Sequence, residues 1–193
     1  VLEAALNIRV FTTPGYQQAM QRIRIHSVAT AHIGRIIAKE TGQDHHRIFL
    51  LGLLHDVGLA AGLITIDTMF QNGDRPPVHH IWPAIETTHE AAGTLLARMW
   101  DLPGELARLI GQHHHFQATG KDQLAVATLH IAEAIANRLG RGITPPGRPQ
   151  QLRLSADVVS AEVVASARKT LRLSQQKIVA FIRTAEEQLD AIR

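Results

Sequence analysis

Apolar residues recur in this chain at three- and four-residue spacing almost from end to end, and no convincing run of alternating β-branched residues interrupts them. That period suits helices and excludes a sheet as the organising element, so the expected fold is all-α, a bundle of about six to eight helices. Ile23, Ile25, Val28, Ala29, Ile33, Ile36 and Ile37 form a stripe that predicts a long helix from about Gln17 to Lys39, with Thr41-Gly42 as its stop. Asp44 has the chemistry of an N-cap for a second helix carrying Ile48, Phe49, Leu50, Leu51, Leu53 and Leu54 and ending near Gly58. Residues 59–72 are apolar but interrupted by Gly62, and GDRPP at 73–77 reads as a loop. Thr87 and Glu90 stand at capping-box spacing, so a helix is expected to open there and run to Trp100, with His89 in its first turn. Asp101-Leu102-Pro103 restarts the chain as a helix ending in His113-His114-His115, and Leu124 to Leu139 is again helical. After the Pro/Gly-rich connection at 140–151, two helices opened by Ser155 and Ser174 form a C-terminal pair, read as a lid on the core rather than a homodimer face.

With 193 residues and 45% hydrophobic content, the chain has the size of one ordinary domain, or one with an added helical segment. The net charge is only +3, and the sequence pI of about 9.8 reflects 16 arginines with no Cys and a single Tyr. No aromatic residue interleaves with a basic cluster, so nucleic acid is not an expected partner. Apolar runs fall short of the roughly 18 residues of a membrane span and no signal peptide opens the chain, which points to a cytoplasmic protein without a membrane partner. A start at Val1 rather than Met is what a piece of a longer protein would show.

The absence of Cys excludes disulfides and thiolate chemistry, leaving His and carboxylate as the ligands open to a transition metal. Twelve histidines are present, and several break apolar helix faces: His26 between Ile25 and Val28, His55 beside Asp56 in LLHDVG, His89, and His113 with His114; Glu133 does the same inside LHIAEAIAN. Each alone is most simply a hydrogen-bonded core residue. Burying them all unpaired would cost roughly 1 to 3 kcal/mol apiece. A shared divalent cation is the economical solution, since Zn, Mn, Fe or Ni all accept mixed imidazole and carboxylate ligands. A His at a helix start would also be kept neutral by the positive helix end. The other histidines are expected on outer faces (His32, His45, His46) or in the loop before the third helix (His79, His80). His130 shares a helix face with Glu133, which suits a supporting partner rather than a ligand.

The order of these motifs resembles the HD superfamily of metal-dependent phosphohydrolases, from about Arg22 to Leu139. GLLHDVG, HEAAGTLLARMWDLP and the HH pair are most similar to HDOD signalling domains, with HD-GYP domains next. The resemblance implies an HD-domain-like bundle over residues 1–140, followed by a linker and helical pair at 141–193. It also implies one divalent ion on His26, His55, Asp56 and Glu133 and a second on His89, His113 and His114, with Asp56 bridging and His130 in support. In enzymes of the superfamily a metal-bound hydroxide attacks the phosphorus of a phosphoester, which would make His55 and Asp56 the catalytic pair here. The substrate would be a nucleotide or another small phosphoester, gripped by cations such as Arg24, Arg75 or Lys121.

The chain departs from those relatives at several positions. Glu133 stands where Asp is usual, Leu59 where HD-GYP domains have Lys, His115 where an acidic residue follows HH, and Arg22 where some carry Glu; no Gly-Tyr-Pro signature follows. These changes speak against cyclic di-GMP hydrolysis. HDOD domains are regarded as regulatory modules that have lost part of the metal set, whereas this chain retains nearly all of it and lacks most of the helical N-terminal half of a full HDOD domain. Two expectations follow: a metal-dependent phosphohydrolase, or a regulatory module that meets a protein partner and keeps the metal for structure. A helical bundle with satisfied core histidines and no metal is the third reading.

Overall fold

The computed structural model describes residues 12–70, 73–115, 121–143 and 161–190, and every regular element among them is a helix. The long first helix, α1 (Gln17–Glu40), stops where the Thr41 N–H and hydroxyl both return to Ile37 O and Gly42 takes φ +69°. Glycine enters that left-handed conformation without a Cβ clash. Helix α2 (His45–Leu54) opens on Asp44, whose carboxylate accepts from the N–H groups of His46 at 3.0 Å and Arg47 at 3.1 Å. Two donors that a helix start leaves over are thereby satisfied.

The second helix does not continue to Gly58. It ends at Leu54, the chain turns through His55 and Asp56, and α3 (Val57–Met69) begins at once. Gly58 and Gly62, read from the sequence as a stop and a break, are both inside α3, where they let a neighbouring helix approach. A Cβ on Gly58 would lie 1.9 Å from the His89 carbonyl oxygen, and one on Gly62 would lie 2.8 Å from Ile85.

That neighbour, α4 (Val78–Met99), starts nine residues before the expected Thr87 and runs through Pro83. Proline forfeits one ladder bond there. Burial of Trp82 and Ile85 against Leu59 and Leu63 of α3 holds the early turns in place. The hydroxyls of Thr87 and Thr88 bond back to Pro83 O (2.7 Å) and Ala84 O (2.9 Å), as helix-interior threonines do, and cap nothing. His79 and His80 lie on the first turn of α4, exposed, instead of in a loop.

Helix α5 (Gly104–Ile110) is short, and His113-His114-His115 follow it in a turn instead of closing it. Beyond it come α6 (Lys121–Arg138), α7 (Ala161–Thr170) and α8 (Gln175–Asp190), the last opened by Ser174 Oγ accepting from Lys177 N–H. The expected helix start at Ser155 lies outside the described residues.

Helix α1 is the spine, packing against α2, α3, α6 and α8. Its lower face carries Met20 and Ile23 into a cluster with Tyr16, Leu59, Leu63, Trp82, Ile85 and Ile143. Ile33 and Ile37 join Ile131 and Ile135 of α6 with Ala167, Ile178, Phe181 and Leu189 of the C-terminal segment, so that pair packs onto the core. A third cluster gathers Leu51 and Leu54 with Leu106, Leu109, Ile110 and Leu129. His32, expected in solvent, is buried because α2 covers that face of α1: it meets Phe49 edge-on, and Arg35 Nη2 donates to its Nδ1 at 3.1 Å.

By length and hydropathy His45–Met69 passes as a membrane span, against the reading from run length. It is in fact two helices broken at His55-Asp56, and 67% of its apolar window is buried inside the fold.

The α3–α4 crossing yields a stability prediction. Gly58→Ala should destabilise the domain by about 1 to 3 kcal/mol in chemical denaturation, because a backbone carbonyl cannot rotate away from the new methyl as a side chain would. Gly73, with open space around it, is the control: its alanine variant should stay within about 0.5 kcal/mol of the parent.

Candidate metal centre

Five segments deliver polar side chains to one point. His26 comes from the middle of α1, His55 and Asp56 from the α2–α3 turn, His89 from α4, His113 and His114 from the turn after α5, and Glu133 from α6. Each is flanked in sequence by anchors of the apolar clusters: Ile23 and Ala29, Leu54 and Leu59, Ile85, Ile110, Ile131 and Ile135. All but the half-buried His114 are buried.

Asp56 is at the middle. Its Oδ2 lies 3.1 Å from His55 Nε2 and 3.8 Å from His26 Nε2, and its Oδ1 lies 3.3 Å from His113 Nε2 and 3.7 Å from His89 Nε2. His55 Nε2 is also 3.4 Å from Glu133 Oε1. On the other side His89 Nε2 faces His113 Nε2 at 3.3 Å and His114 Nε2 at 3.1 Å.

The opposite ring nitrogens decide what these contacts mean. Nδ1 of His26 meets Arg141 O (3.1 Å), that of His55 Gly52 O (2.9 Å), that of His113 Ile110 O (2.7 Å), and that of His89 Glu86 O. A carbonyl oxygen only accepts, so each Nδ1 is assigned the proton. In a neutral ring Nε2 then presents a lone pair: His26, His89 and His113 turn that nitrogen to Asp56, while the charged His55 donates to it from Nε2. This is the arrangement by which metal-binding histidines are oriented from behind.

Charge states follow from the surroundings. Burial pushes the imidazoles of His26 and His89 below their usual value, and burial together with the neighbouring His113 takes His114 down to about 3. Burial is the main cause for His89, which sits mid-helix in α4 rather than in a first turn. Burial would raise both carboxyls, but the charge on the neighbouring His55 holds Asp56 well below the usual range, and the His55 hydrogen bond brings Glu133 to about 2. Burial disfavours a charged His55, yet Asp56 and Glu133 outweigh it and lift that imidazole well above its usual value.

Two anions ringed by imidazoles suit a divalent cation of the Zn, Mn or Fe type. Tetrahedral ligands about 2.1 Å from an ion lie about 3.4 Å from one another, and the donor separations here run from 3.1 to 3.8 Å. Two groups have ligand atoms within 4.8 Å of each other, Asp56 with His89, His113 and His114, and His26 with His55 and Asp56. Glu133 is outside both groups, but its Oε2 is buried without a hydrogen-bond partner, which an added cation would remedy. The donor set therefore fits a divalent ion.

All seven side chains singled out in the sequence meet here. His130 also reaches the site, donating from Nε2 to the His113 carbonyl at 2.7 Å. Leu59 is in the core beside Met20 and Leu63. Arg75 is bound to Asp67, which Thr13 also contacts, and so is committed away from the cluster. Two contributors escaped the sequence reading. The Arg141 carbonyl left no signal, and Glu90, read as a capping residue, instead faces the His113–His115 turn.

An all-helical bundle with a His/Asp cluster at its centre defines the class of fold, and comparison with known proteins supplies the family. The HDOD domain model matches residues 1–116, and the chain belongs to that family. No curated protein matches. Among solved structures, the chain is similar to an HDOD domain protein of unknown function from Geobacter sulfurreducens, at 20% identity and a TM-score of 0.62. The match covers 98% of this chain but 66% of that one, so the chain spans just under two thirds of that relative. It is also similar to the HD domain of the L. monocytogenes phosphodiesterase PgpH, solved in complex with cyclic-di-AMP, at 13% identity and a TM-score of 0.52, covering 94% of this chain and all of that one. At these identities the likeness is one of fold.

The carbonyl acceptors set a spectroscopic expectation. In metal-free protein at neutral pH, long-range 1H–15N spectra should show His26 and His89 as Nδ1–H tautomers; Nε2–H signals for these rings would contradict the assignment.

Proposed function

We propose that this HDOD domain binds one or two divalent cations around Asp56 and uses them to hydrolyse a small phosphoester of the nucleotide class. The observation that carries the reading is the convergence of four imidazole Nε2 atoms on a buried, ionised Asp56, each ring held from behind by a carbonyl. His26, His55, Asp56 and Glu133 would hold one ion, and His89, His113 and His114 a second, with Asp56 shared. Bound there, divalent ions supply Lewis acidity and charge neutralisation for a phosphoryl group. Asp56 contributes a carboxylate that is anionic before any ion arrives, and His26, His89 and His114 contribute donors that need no deprotonation. His114 is the half-buried member of the set, so a substrate would approach on its side.

A second reading, a regulatory module with a structural metal and a protein partner, is favoured by a specific observation. Leu59 is buried in the core where a phosphate-binding Lys would be sought, and Arg75 is engaged by Asp67. On that reading the ion fastens α1, α3, α4 and α6 together without meeting substrate.

One pair of measurements separates the two. Saturating Mn(II) at about 100 times its dissociation constant should stabilise the protein by about 2.7 kcal/mol, and Asp56→Ala should abolish the thermal shift. Turnover of a generic phosphodiester or a cyclic dinucleotide by the metal-loaded protein, lost in His55→Ala and Asp56→Ala while helicity is retained, supports hydrolysis. Protein that binds metal yet stays inert with Mn, Fe, Zn and Mg supports the regulatory reading, and protein that binds none removes both.

A further inference from the structure

We propose that Glu90 and His130 clamp a single peptide group, the one joining His113 to His114, and thereby aim both imidazoles at the second cation position. This inference rests on the metal reading above. The peptide is held at both ends. Its carbonyl, on His113, accepts from His130 Nε2 at 2.7 Å, and its N–H, on His114, points to Glu90 Oε1 at 3.4 Å. One holder comes from α6 and the other from α4, where Glu90 directly follows His89.

The position needs such support. His113 and His114 lie beyond the end of α5, in a turn closed by the single backbone bond from His115 N–H to Gln112 O at 2.9 Å, where no helical ladder adds to it. Rotation of that plane would swing the two Cα–Cβ bonds apart and carry both Nε2 atoms off target. By contrast His26 is mid-helix in α1 and His55 follows directly on α2, with backbone bonds that already set their direction.

Glu90 acts on the backbone rather than on the ligand ring. Its Oε1 is 4.0 Å from His113 Nδ1, which already has Ile110 O at 2.7 Å, while its Oε2 lies 3.6 Å from His115 Nε2. One carboxylate thus spans the turn from His114 to His115. The turn also lies close on α4: a Cβ on Gly111 would come within 2.1 Å of Thr94 Oγ1. Glu90 and His130 are positioning residues, and neither would touch the ion.

The clamp predicts selective damage. Loss of one holder leaves the peptide fixed at one end, so the ion on His89, His113 and His114 should weaken while the ion on His26, His55 and Glu133 does not. Partners that orient metal ligands contribute roughly ten- to a hundredfold in affinity.

The test is Mn(II) titration of the full chain by calorimetry, with EPR to distinguish a coupled ion pair from an isolated ion, and with His113→Ala as the reference for loss of the second ion. Glu90→Ala and His130→Ala should weaken the second equivalent roughly ten- to a hundredfold, leave the first unchanged and replace the coupled spectrum by that of isolated Mn(II). Glu90→Gln keeps an oxygen that can accept from His114 N–H and should restore most of the loss. The metal-free melting temperature of Glu90→Ala should stay close to that of the parent, separating the clamp from a general structural role; if His130→Ala fails to fold, the two Glu90 variants decide the matter. An undiminished second site in Glu90→Ala, equal weakening of both ions, or no recovery in Glu90→Gln overturns the clamp alone. A parent chain that takes up fewer than two Mn(II) overturns the two-ion reading, and the clamp with it.

Discussion

The domain is organised around a carboxylate that is buried and still ionised. Asp56 has a side chain only 6% exposed, and an anion in that setting is tolerated only if the protein surrounds it with groups that compensate for lost water. The charged His55 supplies that compensation by donating from Nε2, and the Nε2 atoms of His26, His89 and His113 complete the ring, so that the four come from α1, the α2–α3 turn, α4 and the turn after α5. Assembling them demands that the second helix break at His55-Asp56, that α4 cross α3 almost backbone to backbone at Gly58, and that the histidine turn fold back over α4. The architecture reads as the set of conditions under which Asp56 can be where it is.

Rigidity comes from apolar packing on every side of the cluster. Each polar residue is placed next to an anchor such as Ile23, Leu54, Ile85, Ile110 or Ile131, and those anchors belong to three separate clusters that meet around the site. Close packing of this kind fixes backbone positions, and backbone carbonyls then fix the rings. The ring orientations of His55 and His113 are local, since each bonds a carbonyl three residues back, whereas His26 depends on Arg141, 115 residues away. The connection after α6 is thus part of the site's frame, and the same Arg141 meets Asp190 at the end of α8 through its guanidinium. What separates a hydrolase from a regulatory module on this frame lies outside the cluster, in the surroundings exemplified by Leu59 and Arg75.

Much of this was legible before any coordinates. Asp44 as an N-cap, Gly42 as a stop and the span of α1 follow from nearest-neighbour chemistry, and they appear in the structure where that chemistry puts them. His26 and Glu133 were conspicuous because a polar group on an apolar face carries a cost that must be met somewhere. The failures have a common origin in packing. Thr87 and Glu90 imitate a capping box, but burial of Trp82 and Ile85 extends α4 through Pro83 to Val78, so His89 is mid-helix and burial is the main cause that lowers its imidazole. Gly58 and Gly62 imitate punctuation and instead mark a close crossing, and His32 was assigned to solvent on a face that α2 covers.

The amino-acid sequence by itself determined that the chain would be helical, that it would carry imidazoles and carboxylates on apolar faces, and that no thiolate could serve among them. Those properties depend on composition and on a period of a few residues, which local chemistry controls. Tertiary structure alone decided which carbonyl each imidazole would turn its back to, where α4 would begin, and that one peptide between two histidines would be gripped by Glu90 and His130. Such choices are made by groups far apart in the chain, and only the packing of whole helices brings them within hydrogen-bonding distance.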